Sequence, residues 1–277
     1  MRGIGRMLIA VGMIAAATVA GSTQASASPH GGVFASCSSS SNLTEKFWMN
    51  MSWSSFAAKD EEYFADGLRI TQLDIEGNDV TAAWHPGSGT QRVHWNMSLD
   101  RFKALDTQYF AQGLRLVDVD NDGGDWAAVW RPGSAAQHWR SGIPSWTDFK
   151  NQDQVYFDQG LRLVDVIITA DDNITGVWRG DQGTGGQLWS SGVMGTGVDE
   201  NNDSAFDRLN RAHKQAGYEL RILKTHPHDD YIMAVWRYRG GSFSQSTELY
   251  LPNATAVANM RAYCLEHGMR LVAVDAR

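Results

Sequence analysis

The chain has 277 residues, 43% hydrophobic and 20% charged, with 31 acidic against 24 basic side chains and a formal charge of −7. Such a composition supports one or two cored domains and excludes a chain disordered throughout. The acidic surplus repels phosphate backbones, which sets nucleic acid aside as a partner.

Residues 1–27 read as a signal peptide: Arg2 and Arg6, an apolar run from Met7 to Ala20, then a small polar stretch with the Ala25-x-Ala27 spacing that suits a signal peptidase. The run is too short for a stable membrane span, so the protein is expected to be secreted and extracellular. Cleavage before Ser28 removes two of the 24 basic residues and no acid, leaving 22 against 31 and a charge of −9. Residues 28–44 are small and Ser-rich and are expected to form a flexible lead-in, apart from Cys37. The one other cysteine is Cys264, and two cysteines in an oxidising compartment pair. That disulfide would close a loop of about 230 residues and stabilise the fold by roughly 5 kcal/mol at most. Reading the "FASC" at Cys37 as a lipid-attachment box is disfavoured, because residues 21–37 include a polar stretch that separates it from the apolar run.

From residue 45 one phrase recurs: "YFADGLRITQLD", "YFAQGLRLVDVD" and "YFDQGLRLVDV". Aligning on its glycine gives Gly67, Gly113, Gly160, Gly217 and Gly268, spaced by 46, 47, 57 and 51 residues. Eleven residues before each stands an apolar side chain: Phe56, Phe102, Phe149, Phe206 and Val257. In the second copy Leu99, Phe102, Leu105, Tyr109 and Phe110 share one stripe, which predicts an amphipathic helix over 98–112. Ser52, Ser98 and Ser145 stand where N-caps are wanted, and the glycine follows the last turn as a residue able to take positive φ.

After the glycine, "LRLVDV", a turn and "AAVW" have the period of a β-hairpin, closed by Trp84, Trp130, Trp178 and Trp236. A third short strand bearing Trp95, Trp139 or Trp189 leads to the next cap. Residues 45–277 are thus expected to be a single tandem-repeat domain of α+β class, each unit one helix followed by three antiparallel strands. Four full units and a split fifth would form a barrel-like or ring-like array. The chain ends part way through a unit, at "GMRLVAV", and "KFWMNMS" near its start matches the unit tail "VHWNMS". An N-terminal strand completing the C-terminal unit is the expected closure, reinforced by the disulfide.

This cadence resembles the bacterial tandem repeat of about 50 residues found beside serine β-lactamase-like hydrolases, as in the N-terminal region of polyglycine hydrolases. The resemblance covers residues 45–275 and is best over Gly113 to Val117 with Ala127 to Trp130, and over Gly160 to Val164 with Val177 and Trp178. The fourth copy departs at Gly217, Tyr218, Glu219 and Leu220, keeping its register and losing its arginine. In those relatives the hydrolytic serine belongs to a separate lactamase-like domain, whose Ser-x-x-Lys motif this chain lacks. The resemblance therefore implies an accessory or binding role, with a separately encoded secreted hydrolase as a candidate partner, and supplies no catalytic residue.

No Gly-x-Ser-x-Gly elbow, His-Glu-x-x-His helix, Cys-x-x-Cys pair or phosphate-cradling Gly-Lys loop occurs. No cofactor is expected, with calcium the one candidate: Asp118, Asp120, Asp122 and Gly123 reproduce the start of a calcium loop. Its twelfth position is Val129 in place of the bidentate glutamate, and the same residues suit an ordinary hairpin turn. His226, His228, Asp229 and Asp230 could gather a metal or form a solvated hairpin tip, and His94 and His138 stand where packing or a hydrogen bond explains them. Eleven tryptophans raise glycan or peptide binding, but their fixed repeat positions favour core layers. The "RGD" at 179–181 is short enough to recur by chance, and six Asn-x-Ser/Thr sequons leave glycosylation open. The leading expectation is a secreted, non-catalytic repeat protein that binds an extracellular polypeptide or other macromolecule. A carbohydrate- or cell-wall-binding module, with or without calcium, and a hydrolase with a dispersed site are the alternatives.

Overall fold

The computed structural model describes residues 32–169, 171–194, 204–226 and 231–276. It contains five helices and five sheets of three antiparallel strands. The second unit shows the plan: β5 (Arg92–Met97), α2 (Leu99–Ala111), β6 (Leu114–Asp122) and β7 (Asp125–Pro132), with sheet order β5-β7-β6. The first is β2 (Lys46–Ser52), α1 (Trp53–Ala65), β3 (Leu68–Glu76) and β4 (Asp79–Pro86). The third is β8 (Gln137–Ile143), α3 (Trp146–Asp158), β9 (Arg162–Ile168) and β10 (Ile174–Arg179). The fourth is β11 (Gln187–Met194), α4 (Ala205–Gln215), β12 (Tyr218–Thr225) and β13 (Tyr231–Tyr238).

The α+β repeat is as expected, but its phase is different. The strand before each helix pairs with the hairpin after it, so a unit runs strand, helix, hairpin instead of helix and three strands. Pro86 and Pro132 end the second hairpin strands, and the amides of Gly87 and Gly133 bond back to the carbonyls of Gly67 and Gly113. The chain is thereby turned off its own sheet before the next strand begins.

Local chemistry accounts for the helices. Ser52, Ser98, Ser145 and Ser204 accept the amides of Ser55, Arg101, Asp148 and Asp207, and Asn253 does the same for Ala256. The repeat glycine past each helix has φ between 71° and 84°, the left-handed region that a side chain would strain. Phe56, Phe102, Phe149 and Phe206 are fully buried and lie 5.7–6.1 Å, centroid to centroid, from Trp84, Trp130, Trp178 and Trp236, themselves fully buried.

The fifth unit has β14 (Gln245–Leu251), α5 (Ala254–Glu266) and β15 (Met269–Ala276), and its central strand is β1 (Val33–Ser39). Residues 33–39, expected in the flexible lead-in, are therefore an internal strand of this sheet. An N-terminal strand does complete the C-terminal unit, but it is "VFASCSS"; "KFWMNMS" is β2 and pairs with β4 in the first unit. Ser36 and Ser38 are tolerated inside because their hydroxyls reach Thr247 and Glu219. Cys37 is disulfide-bonded to Cys264 on α5, with Cα atoms 6.2 Å apart.

The first hairpin strands β3, β6, β9, β12 and β15 contact one another in that order, and β15 also contacts β3. Among the described residues no helix is long and apolar enough to cross a membrane.

Candidate functional site

Polar side chains buried in a repeat either join its units or serve a ligand, and most of those here join units. Seven residues before each repeat glycine, on the helix face turned to the sheet, stand Asp60, Asp106, Asp153, Asn210 and Arg261. Asp106 accepts the indole N–H of Trp130 at 3.0 Å, the Gln137 amide at 3.1 Å and the indole N–H of Trp139 at 2.8 Å. Asp153 repeats the set with Trp178, Gln187 and Trp189; burial pushes its carboxyl up, against the pull of those three donors. Gln137 and Trp139 belong to the next unit, so each acid ties its own sheet to its neighbour's first strand. Sequence reading missed this hub, and the period of polar residues on an otherwise inward face was the signal.

The repeat arginines are likewise committed. The Nε atoms of Arg69, Arg115 and Arg162 donate to the carbonyls of Gly89, Ala135 and Gly185, and their guanidinium carbons lie 3.6–3.7 Å over the rings of Phe64, Phe110 and Phe157. In the fourth unit Glu219 takes that place and pairs with Arg221 and with Arg239 at 2.8 Å.

Where the first hairpin strands meet, carboxylates gather. Asp120 accepts the Ile75 amide (2.8 Å), Asp165 that of Val119 (2.8 Å), Asp275 that of Thr225 (2.9 Å) and Asp74 that of Ala276 (3.0 Å). Each is a latch from one unit to the unit before it, Asp74 reaching from the first unit to the fifth. In the fourth unit Lys224, seven residues past the glycine, replaces the acid and lies 3.4 Å from Asp74, 3.7 Å from Asp275 and 3.9 Å from Asp120. Burial pulls its pKa down, but the surrounding acids outweigh burial and raise it well above the usual lysine range. Burial also raises Asp74 and Asp118 well above the ordinary carboxylate range, Asp118 further through Asp165, and brings Asp165 to about 7. A cavity of about 30 Å³ beside Asp118, Asp165 and Lys224 has room for one water.

The three aspartates singled out for calcium are separated by this arrangement. Asp118 and Asp120 turn into the buried cluster, whereas Asp122 is exposed at the hairpin tip and accepts the Gly77 amide across the seam at 2.6 Å. Among the described residues no group of three or more His, Cys, Asp or Glu side chains is placed to hold a metal ion. His226 Nε2 pairs with the Asp172 carboxylate at 2.9 Å; His228, Asp229 and Asp230 lie outside the described residues. His94 bonds the Tyr109 hydroxyl at 2.6 Å, and His138 stacks on Tyr156. In the "RGD" stretch Arg179 pairs with Asp181 and donates to the Leu116 carbonyl, so the tripeptide is folded onto the scaffold.

Between the third and fourth units the position of Asp120 is taken by Lys224, which cannot accept an amide; in the third unit the same position is Ile167, and Asp165 makes the latch instead. There a groove of about 370 Å³ opens, with Pro144, Trp146 and Tyr231 at its surface over the buried Ile168, Ile174, Ile232 and Met233. His226 and Asp172 stand at its mouth, Asp172 with its side chain 71% exposed. Trp146 packs against Phe149 and Trp189, leaving less of its ring free.

Four strand–helix–hairpin units and a fifth completed by β1, stapled by buried acids and by aromatic pairs in the first four, define a tandem-repeat scaffold. Residues 88–132 match the family model described as polyglycine hydrolase-like, structural repeat. The match opens just before β5 and closes with β7, so it brackets one structural unit in the phase seen in the sheets. A search of curated proteins finds no match to the chain.

Proposed function

We propose that this protein is a secreted, non-catalytic repeat scaffold that binds an extracellular polypeptide, its five units closed into a ring. The observation that carries the reading is the commitment of the converging acids. Asp74, Asp120, Asp165 and Asp275 each hold a neighbour's backbone amide, and three of them surround Lys224, so these converging acids are engaged in joining the units. Closure is supported at the seam of the first and fifth units: Glu45 accepts the Leu271 amide at 2.8 Å and pairs with Arg261, the role that Gln91 and Asp60 share one seam further on. A separately encoded secreted hydrolase fits this reading as a partner.

The test is direct. The purified protein is exposed to immobilised secreted polypeptides and to polysaccharides, and assayed for turnover of peptide, ester and glycoside substrates. Retention by a polypeptide without turnover is expected. Binding to polysaccharide alone would favour a cell-wall module, and turnover lost on mutating a buried aspartate would establish a hydrolase.

A further inference from the structure

We infer that the guanidinium of Arg131, at the seam of the first and second units, is a binding site for a carboxylate brought by a ligand. The inference goes beyond the scaffold reading and does not depend on which macromolecule carries the acid. A repeated position points to it. The residue after each hairpin tryptophan is basic, His85, Arg131, Arg179 and Arg237 in turn. Three of these are answered from within the chain. His85 pairs with Glu45 at 3.1 Å, Arg179 pairs with Asp181, and Arg237 donates to Gln182 and to the Leu163 carbonyl. Arg131 is half-buried, yet it makes no hydrogen bond or ion pair among the described residues.

The third unit shows what the second lacks. Asp181 stands two residues past Arg179 and pairs with it, and its charge also acts on Arg115 of the unit before. Two residues past Arg131 stands Gly133, so Arg131 and its own neighbour Arg69 have no counterpart of that acid. Burial, then Arg179 and Arg69, bring Arg131 down to about 10, which leaves it cationic at neutral pH among like charges. Asp118 pulls the other way, but burial holds the proton on that carboxyl. The approach is open. A Cβ at Gly87 would lie 3.6 Å from Arg131 Nη1, so glycine leaves that side of the guanidinium uncovered, and Asp181 in the equivalent place keeps 36% of its side chain in solvent. The ligand class follows from the fork of paired N–H donors, which a carboxylate accepts side by side. Glu45 and Asp181 already answer this layer in that form, and the protein's surplus of acids repels a monoanion less than a phosphate dianion.

The probe is acetyl-aspartyl amide, whose one carboxylate is the side chain, titrated into the full-length protein at low salt. It is followed through the Nε–H resonance of Arg131 and the backbone amides of Gly87 and Gly133. Saturable shifts are expected from the acid and none from acetyl-asparaginyl amide, its uncharged isostere. Acetyl-glycine carries the carboxylate at a chain end, and the tighter of the two acids tells a side-chain from a terminal source. Arg131→Gln should weaken binding about tenfold, the loss of a charge-assisted hydrogen bond, whereas Arg92→Gln removes the same charge from an exposed residue and binds as the parent does. Without ligand, Arg131→Gln should keep the parent's thermal midpoint and lose the rise that the acid gives the parent. Equal binding by the two variants, equal shifts from acid and isostere, or no shift at these positions overturns the site. Tighter binding of inorganic phosphate than of either acid overturns the ligand class, and a lowered midpoint of Arg131→Gln without ligand makes the arginine a structural latch instead.

Discussion

In the second unit the residue paired with Leu116 across the sheet is Trp130, whereas in the fifth the residue paired with Leu271 is Cys37. The helix answers in kind. Tyr109, four residues before Gly113, packs edge-on to Trp130 at 5.2 Å; Cys264, four before Gly268, makes the disulfide. One covalent bond therefore stands where the other units set an aromatic pair: Tyr63 with Trp84, Tyr156 with Trp178, His213 with Trp236. The difference follows from how the central strand arrives. β7 is joined to β6 through Gly123 and Gly124, so its pairing is local, but β1 comes from the far end of the chain and bears the loop-closure entropy of more than two hundred residues. A crosslink removes much of that entropy from the unfolded state; a buried indole does not.

Breaking the crosslink should have the largest effect. The double variant Cys37→Ala, Cys264→Ala is expected to lose up to about 5 kcal/mol, with amide exchange rising first in β1, β14 and β15 while β6 and β7 stay protected. Uniform loss of protection, or an unchanged thermal midpoint, would show that the fifth unit does not depend on its bridge. Next comes the aromatic counterpart: Trp130→Ala should cost about 3–5 kcal/mol in urea unfolding through the cavity it leaves. A cost under about 1 kcal/mol would mean that the indole is not the joint of its unit. Smaller again is the hub beneath it. Asp106→Ala strands the N–H groups of Trp130, Trp139 and Gln137 and should cost about 2–3 kcal/mol, with Asp106→Asn losing less because an amide oxygen can still accept. Equal losses for the two variants would locate the effect in packing.

The periodic features were legible in the sequence because each is local: the stripe around Phe102, the caps at Ser52, Ser98 and Ser145, and the turn at Gly113. Phase was not, since "VHWNMS" reads as a strand whichever hairpin it joins, and pairing is a matter of how the chain leaves Pro86 and Pro132. The strand at 33–39 was obscured by its serines, whose exposed-looking composition is reversed once Ser36 and Ser38 find partners in β14 and at Glu219. The surroundings of Asp118 and Asp120 were not legible, because their neighbours in the buried cluster come from other units. The groove was hidden further still. Its surface residues, Pro144 and Trp146 at the start of α3 and Tyr231 in β13, come from two units and meet only in the fold.

Those central acids also set the smallest effect and its sign. The latched aspartates have backbone amides to accept, but Asp118 accepts no hydrogen bond from a described residue, and burial with Asp165 beside it holds its proton on. A carboxyl whose folded pKa is raised binds its proton more tightly when folded, so stability falls as pH rises from about the unfolded value of 3.8. For Asp165 that fall continues to about pH 7, and the Asp118 contribution adds to it. Asp118→Asn removes one of these groups and supplies an amide able to donate to Asp165. The variant should match the parent at pH 4 and exceed it by on the order of 1 kcal/mol at pH 8, flattening the slope between. Parallel stability curves for the two proteins would mean that Asp118 is ionised and compensated in the folded protein, and that Lys224 neutralises more of the cluster than its three close contacts account for.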